Sequence, residues 1–241
     1  MTTAFEKYGD ILFDAWMIDQ RQVNHTDKNP HLLVDIFQYY QLMPRSILFV
    51  GFSPWMLTVK SAEIFVTEVG SEVTALLAVC DIEFTLVDLT ELMPKQFDVV
   101  VAVDEYFTFA ETDQEQQEKV ALLSSMAQEC LVTTLRDYKN QVTKDREFSY
   151  PVAIKDGNSQ KIFFEQYEYS PSDHNAIIST SYAIDQSGVA VIGPFDRRTM
   201  YFKQLAKWTI DAGAKKFLVH KELAYKNIIK KTYEHVITVR F

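Results

Sequence analysis

Cysteine and glycine are scarce in this chain, with two and seven in 241 residues. Cys80 and Cys130 each sit among apolar residues, with no second ligand type at metal-binding spacing. Neither a disulfide framework nor a zinc centre is therefore suggested, and both thiols read as buried packing residues. The five histidines are scattered without an H-E-x-x-H pattern, so no metal site is expected. No apolar run approaches the roughly 18 residues of a membrane span, and the N-terminus lacks the basic start and apolar core of a secretion signal. These absences predict a cytoplasmic protein that does not enter a membrane. Basic residues are few before position 196 and cluster after it, with 11 Lys and Arg against four Asp and Glu in a chain of net charge −9. A basic final third can meet an anion or a nucleic acid, and solvated helix faces give the same pattern.

The length suits one domain, 1–241, with helices over 1–43 and an inserted antiparallel segment over 140–195. Phe5, Tyr8, Leu12, Ala15 and Trp16 recur at helical spacing. Asn29 and Pro30 announce a second helix through Leu32, Leu33, Ile36, Phe37 and Tyr40, which Pro44 stops. Ser46 to Gly51 is a continuous apolar run of strand length, and Ser53-Pro54 reads as a helix start. Strands follow near 63–69, 83–89, 97–103 and 130–135, with a helix from Ser71 to Cys80 and another opened by a Thr112-x-x-Glu115 capping box. Strand alternating with helix implies a parallel sheet covered on both faces.

From about 147 the period becomes two, with strands Phe148–Ile154, Lys161–Tyr169, Ala176–Ile184 and Val189–Gly193. A helix is predicted for Arg197–Ala212, ended by Gly213, then a strand at Phe217–His220, a short basic helix through Tyr225 to Tyr233, and a last strand, Val236–Phe241.

Parallel strands deliver their carboxyl ends to one edge, where ligands bind. Gly51, Glu68, Asp88 and the pair Asp104-Glu105 each fall at or just past a strand end. A carboxylate closing the second strand can accept both ribose hydroxyls, which makes Glu68 the candidate for that role. Asp88 would reach the base edge, and Asp104 the other end of the ligand. With Gly51 the single glycine of its loop and no phosphate lysine, a pyrophosphate is disfavoured. The acids favour a cation, since opposite charges about 4 Å apart attract by roughly 4 kcal/mol at an effective dielectric near 20.

The order Ile47-Leu-Phe-Val-Gly51, Glu68, Asp88, Phe97-Asp-Val-Val-Val-Ala-Val-Asp104 and Leu131-Val-Thr-Thr-Leu135 resembles the class I S-adenosylmethionine-dependent methyltransferases. The likeness extends over about 44–136 and 196–241, where Phe217–Phe241 looks like the family's closing strand pair. The resemblance implies an α/β, Rossmann-like, mostly parallel seven-strand sheet with helices on both faces, plus the inserted antiparallel segment. It also implies S-adenosylmethionine as cofactor, with Gly51 near its amino-acid part, Glu68 on the ribose and Asp88 near the adenine, and Ser53 and Asp104 are counted with them as cofactor-binding candidates. Family members carry an acid before the glycine and two or three glycines in the loop. Phe49 and Phe52-Ser-Pro-Trp55 stand there in this chain.

No Asn-Pro-Pro-aromatic motif follows the fourth strand and no Pro-Cys nucleophile is present, which disfavours base-amino and pyrimidine-carbon methylation. Tyr106-Phe-Thr-Phe109 offers an aromatic wall. In the densest polar loop, Ser170 to Asn175, His174 is the candidate proton-transfer group, with Asp173 beside it. The leading expectation is methyl transfer to a small molecule or protein. The alternative, supported by the sparse glycine loop, is a non-catalytic module of the same fold that binds a protein or nucleic-acid partner through its insertion and basic C-terminal helices.

Overall fold

The structure, a computed structural model, describes residues 3–20, 31–136, 146–149, 151–156, 159–173, 175–226 and 233–241. Its centre is a seven-stranded sheet built from β1 (Ser46–Val50), β2 (Glu63–Thr67), β3 (Phe84–Leu86), β4 (Phe97–Ala102), β5 (Ala127–Leu135), β11 (Lys216–Lys226) and β12 (Tyr233–Arg240). The spatial order is β11-β12-β5-β4-β1-β2-β3. The first five strands run parallel, and β12 is antiparallel to both β5 and β11.

Order reverses between β1 and β4, the place where open α/β sheets hold ligands. Every residue of β4 and all of β1 after Ser46 are buried. Consecutive strand residues point to opposite faces, so both faces are covered there, which is why these two segments are continuous apolar runs.

The helices are α1 (Ala4–Gln20), α2 (Leu32–Tyr40), α3 (Ser71–Val79), α4 (Asp113–Met126) and α5 (Phe202–Asp211). The Thr112 hydroxyl caps α4 by accepting from the Glu115 N–H at 3.1 Å. The Glu115 carboxylate reaches back to the Glu111 N–H, one residue beyond the expected box. Between β5 and α5 lies a second, antiparallel sheet of β6 (Arg146–Phe148), β7 (Val152–Asp156), β8 (Ser159–Tyr169), β9 (Ala176–Asp185) and β10 (Gly188–Arg198). Its inner positions, among them Phe163, Tyr167, Ile177 and Phe195, are buried, and α1 packs against β7, β10 and α3.

Several boundaries differ from expectation. Ser53-Pro54 opens one 3-10 turn, Pro54–Leu57, and the strand predicted over 148–154 divides into β6 and β7. β10 continues past Gly193-Pro194 through a bulge between Ile192 and Phe195, so Arg197 and Arg198 are strand residues paired with Ile177 and Ala176. The helix expected from Arg197 begins only at Phe202. Tyr225 and Lys226 end β11 and Tyr233 begins β12, so the two ends of the predicted basic helix are strand residues, and its middle, 227–232, lies outside the described residues. Cys130 is buried in β5, whereas Cys80, the C-cap of α3, is exposed, against the expectation for both thiols. Asn29 and Pro30 lie outside the described residues.

Candidate functional site at the carboxyl edge of the sheet

Gly51 follows β1 with φ +78°, and its N–H donates to the Thr67 carbonyl at 2.8 Å, which ties the ends of β1 and β2 together. A Cβ at Gly51 would be strained by that φ and would run into the Phe5 ring of α1, whose Cζ lies 3.0 Å from the position. Beyond Thr67 the chain turns through Glu68 at φ +53°, and beyond β4 through Asp104 and Glu105 at +57° and +59°. Three non-glycine residues thus hold left-handed conformations at the ends of the two strands that flank β1. Each costs about 1–3 kcal/mol, and strain of this kind collects at binding edges.

Glu68 is half-buried and accepts a long hydrogen bond, 3.4 Å, from the Tyr106 hydroxyl. Burial pushes its carboxyl above the ordinary carboxylate range, Lys119 opposes this, and Glu6 of α1 adds to it. Burial and the facing Glu68 likewise push the Tyr106 hydroxyl well above the usual phenol range. Lys119, on α4, bonds the Phe109 carbonyl, pairs with Glu115 at 3.1 Å and lies 5.6 Å from the centre of the Tyr106 ring. Glu68, Glu115 and Lys119, together with Phe5, Phe109, Phe195 and Asp196, line a cavity of about 400 Å³ with an acidic rim and aromatic walls.

The remaining predicted residues are placed differently. Ser53 is buried, and its hydroxyl accepts from the Trp55 N–H at 3.3 Å, so it serves the turn after β1. Asp88 is exposed and caps the turn Leu89–Glu91. The Thr90 hydroxyl and N–H bind its carboxylate at 2.7 and 2.8 Å and hold it below the usual carboxylate range. Asp104 is buried just beyond β4.

Glu105 does not face the trough: its carboxylate is 2.8 Å from Arg197 Nη2, both side chains being sealed from solvent. Asp173 pairs with Arg198 at 2.9 Å and caps the Asn175 N–H. Arg198 also binds Asp113 at 2.5 Å, so this loop fastens the second sheet to the start of α4. His174 lies outside the described residues. Arg197 and Arg198 are consumed by ion pairs and leave the basic surface predicted for the final third.

The edge therefore gathers Gly51 and Glu68 around Phe5, Tyr106 and Phe109, with Asp104 buried just past β4, while Asp88 caps a local turn and Asp173 pairs with Arg198. Tyr106, Lys119 and Arg197 were not foreseen as partners. The aromatic run 106–109 was a visible signal, but nothing in the sequence tied Lys119 to it.

Among the described residues no helix is long and apolar enough to cross a membrane, and no group of three or more His, Cys, Asp or Glu is arranged to hold a metal ion. No protein-family model matches the chain. No curated protein matches it in sequence.

Solved structures do match in shape. The CcbJ methyltransferase from Streptomyces caelestis has a TM-score of 0.64 at 12% identity, covering 99% of this chain and 98% of its own. CalS10 from Micromonospora echinaspora, an amino pentose methyltransferase solved with S-adenosylmethionine bound, has 0.67 at 10%, covering 95% and 96%. The sugar N-methyltransferase KedS8 from a Streptoalloteichus species has 0.64 at 10%, covering 95% and 92%. The sheet order, the antiparallel last strand and this likeness over almost the whole chain together establish that the protein has the fold of the class I S-adenosylmethionine-dependent methyltransferases.

Proposed function

We propose that the protein is an S-adenosylmethionine-dependent methyltransferase whose acceptor is a small molecule. The observation that carries this reading is the pairing, beside the switch point of a seven-stranded sheet, of a left-handed glycine with a half-buried carboxylate that makes no ion pair among the described residues: Gly51 after β1 and Glu68 after β2. Glu68 would hold the ribose hydroxyls. Gly51 would lie against the amino-acid part, with Ser53 shaping the turn beneath it and Asp104 closing the far end. The bound cofactor would supply the methyl group. Methyl transfer asks mainly for donor and acceptor aligned in a dry site, which suits a cavity walled by Phe109 and Phe195.

The similar structures that act on sugars favour a small acceptor over a protein, with the second sheet, 146–198, shaping access as an insertion into a single domain. Asp173 and His174 remain our candidates for proton handling in that insertion, and a cytoplasmic setting remains our expectation.

The fit to the cofactor is incomplete. The carboxylate for the ribose is available, but the space over Gly51 is filled by the Phe5 ring, so the cofactor does not fit while α1 holds this position. That observation favours a second reading, a non-catalytic module of this fold that binds a partner.

Thermal stabilisation by S-adenosylhomocysteine separates the two. Ligand at 100 times its dissociation constant adds about 2.7 kcal/mol, which for a chain of this length raises Tm by about 5–11 °C. Glu68→Ala should abolish the rise. No rise at millimolar ligand, in the parent chain or in Phe5→Ala, would establish the non-catalytic reading instead.

A further inference from the structure

We infer that α1 is a self-occluding strap: Phe5 holds the ground over Gly51 that a bound S-adenosyl group needs, and α1 must leave before the cofactor enters. This rests on the cofactor reading above and adds a regulation of the same site.

The occlusion is specific in its contacts. Phe5 is buried against Gly51, with its ring centre 4.8 Å from that of Tyr106 and 5.1 Å from that of Phe109, both edge-on. Tyr106 and Phe109 follow β4, so one side chain from α1 bridges the ends of β1 and β4, the two strands between which sheet order reverses. Lower on α1, Asp10 meets the chain at Gly70, the N-cap of α3, where an added Cβ would lie 3.0 Å from the Asp10 Cγ.

The forces at the two contacts oppose each other. Aromatic packing at Phe5 holds α1 down. Charge works against it, because the docked helix brings Glu6 towards Glu68 and sets Asp10 near Glu72, and it buries Asp10 Oδ1 with no hydrogen-bond partner among the described residues. Like charge at these two points loosens a helix that apolar packing and the Lys161–Asp14 pair hold down, and a cation arriving at Glu68 would bind only the displaced form. Binding energy spent on displacing α1 lowers the apparent affinity by the fraction of chains that are open.

A reversible staple tests this. The Cγ position puts the Cβ atoms of residues 10 and 70 within the roughly 3.5–4.5 Å that a disulfide spans. The variant Asp10→Cys/Gly70→Cys, made on Cys80→Ser, should therefore crosslink under mild oxidation and pin α1 shut. S-adenosylhomocysteine binding is measured by calorimetry on the oxidised and dithiothreitol-reduced forms of that protein, and on Phe5→Ala beside the parent chain.

The strap predicts at least tenfold weaker binding to the oxidised than to the reduced form, and at least tenfold tighter binding to Phe5→Ala than to the parent. Equal affinities across both comparisons overturn the strap and leave the cofactor reading standing. Failure of the two cysteines to bridge overturns the docked geometry. Absence of binding to the reduced variant, Phe5→Ala and the parent alike overturns the cofactor reading, and the strap with it.

Discussion

Replacing Arg197 by Met removes one half of the buried pair that joins the second sheet to the edge of the first. The guanidinium lies 2.8 Å from Glu105 Oε2, donates to the Thr108 hydroxyl at 2.7 and 3.1 Å, and stacks 4.4 Å from the centre of the Phe109 ring. Its side chain is 1% exposed and that of Glu105 is 0% exposed, so Met would leave a carboxylate sealed from water without its main counter-charge. Breaking such a pair from one side costs about 3–5 kcal/mol, whereas replacing both members by apolar residues of similar volume is near neutral. Arg197→Met should therefore lower Tm by about 6–20 °C, and Glu105→Leu/Arg197→Met should recover most of that loss. Urea unfolding followed by circular dichroism at constant m gives the free energies directly. A single-variant cost below about 1 kcal/mol, or a double variant as damaged as the sum of the two singles, would refute the assignment of this pair as a mutually compensating charge couple.

Gly51→Ala should cost about 2–5 kcal/mol, from left-handed strain and overlap with Phe5, and adding Phe5→Ala should return the steric part. Strict additivity in that cycle would mean that Phe5 does not rest on Gly51. Glu68 ionises later in the folded chain than in the unfolded one because it is buried, so its contribution to stability is present at low pH and is lost as pH rises through its folded value. Glu68→Gln should accordingly raise Tm at pH 7–8 relative to the parent, with the advantage vanishing near pH 4, and should weaken ligand binding; a pH-independent difference would contradict the burial account. Burial pushes the Cys130 thiol up to about 12 and leaves Cys80 exposed, so a thiol reagent at pH 8 should consume one equivalent quickly and the second only in denaturant.

Much of the architecture was legible because the signals that carried it are local. β1 and β4 announce themselves as unbroken apolar runs, since strands covered on both faces have no polar position to interrupt them. The capping box at Thr112 named the start of α4 for the same reason: the donor and acceptor that satisfy each other are three residues apart. Glu68 was picked out from its place alone, as an acid at the end of the strand beside Gly51, and it stands half-buried there. The errors lie where a distant partner chose the conformation. Arg197 and Arg198 read as the first turn of a helix, but Glu105, Asp113 and Asp173 hold them in β10. Asp88, by contrast, engages a near neighbour: one of its carboxylate oxygens accepts from the Thr90 N–H and hydroxyl. Tyr225, Lys226 and Tyr233 read as helical, and pairing between β11 and β12 makes them strand residues.

Local patterning in the chain was enough to determine which segments become strands of a parallel sheet and which acid ends the second of them, because burial and capping act over a few residues. Only the tertiary structure decided what stands over Gly51. The ring that fills that place comes from the N-terminal helix, and the pair that fastens the second sheet joins residues 92 apart. Contacts of that range leave no periodicity in the sequence, since nothing near Phe5 or Arg197 records the partner that folding brings to it.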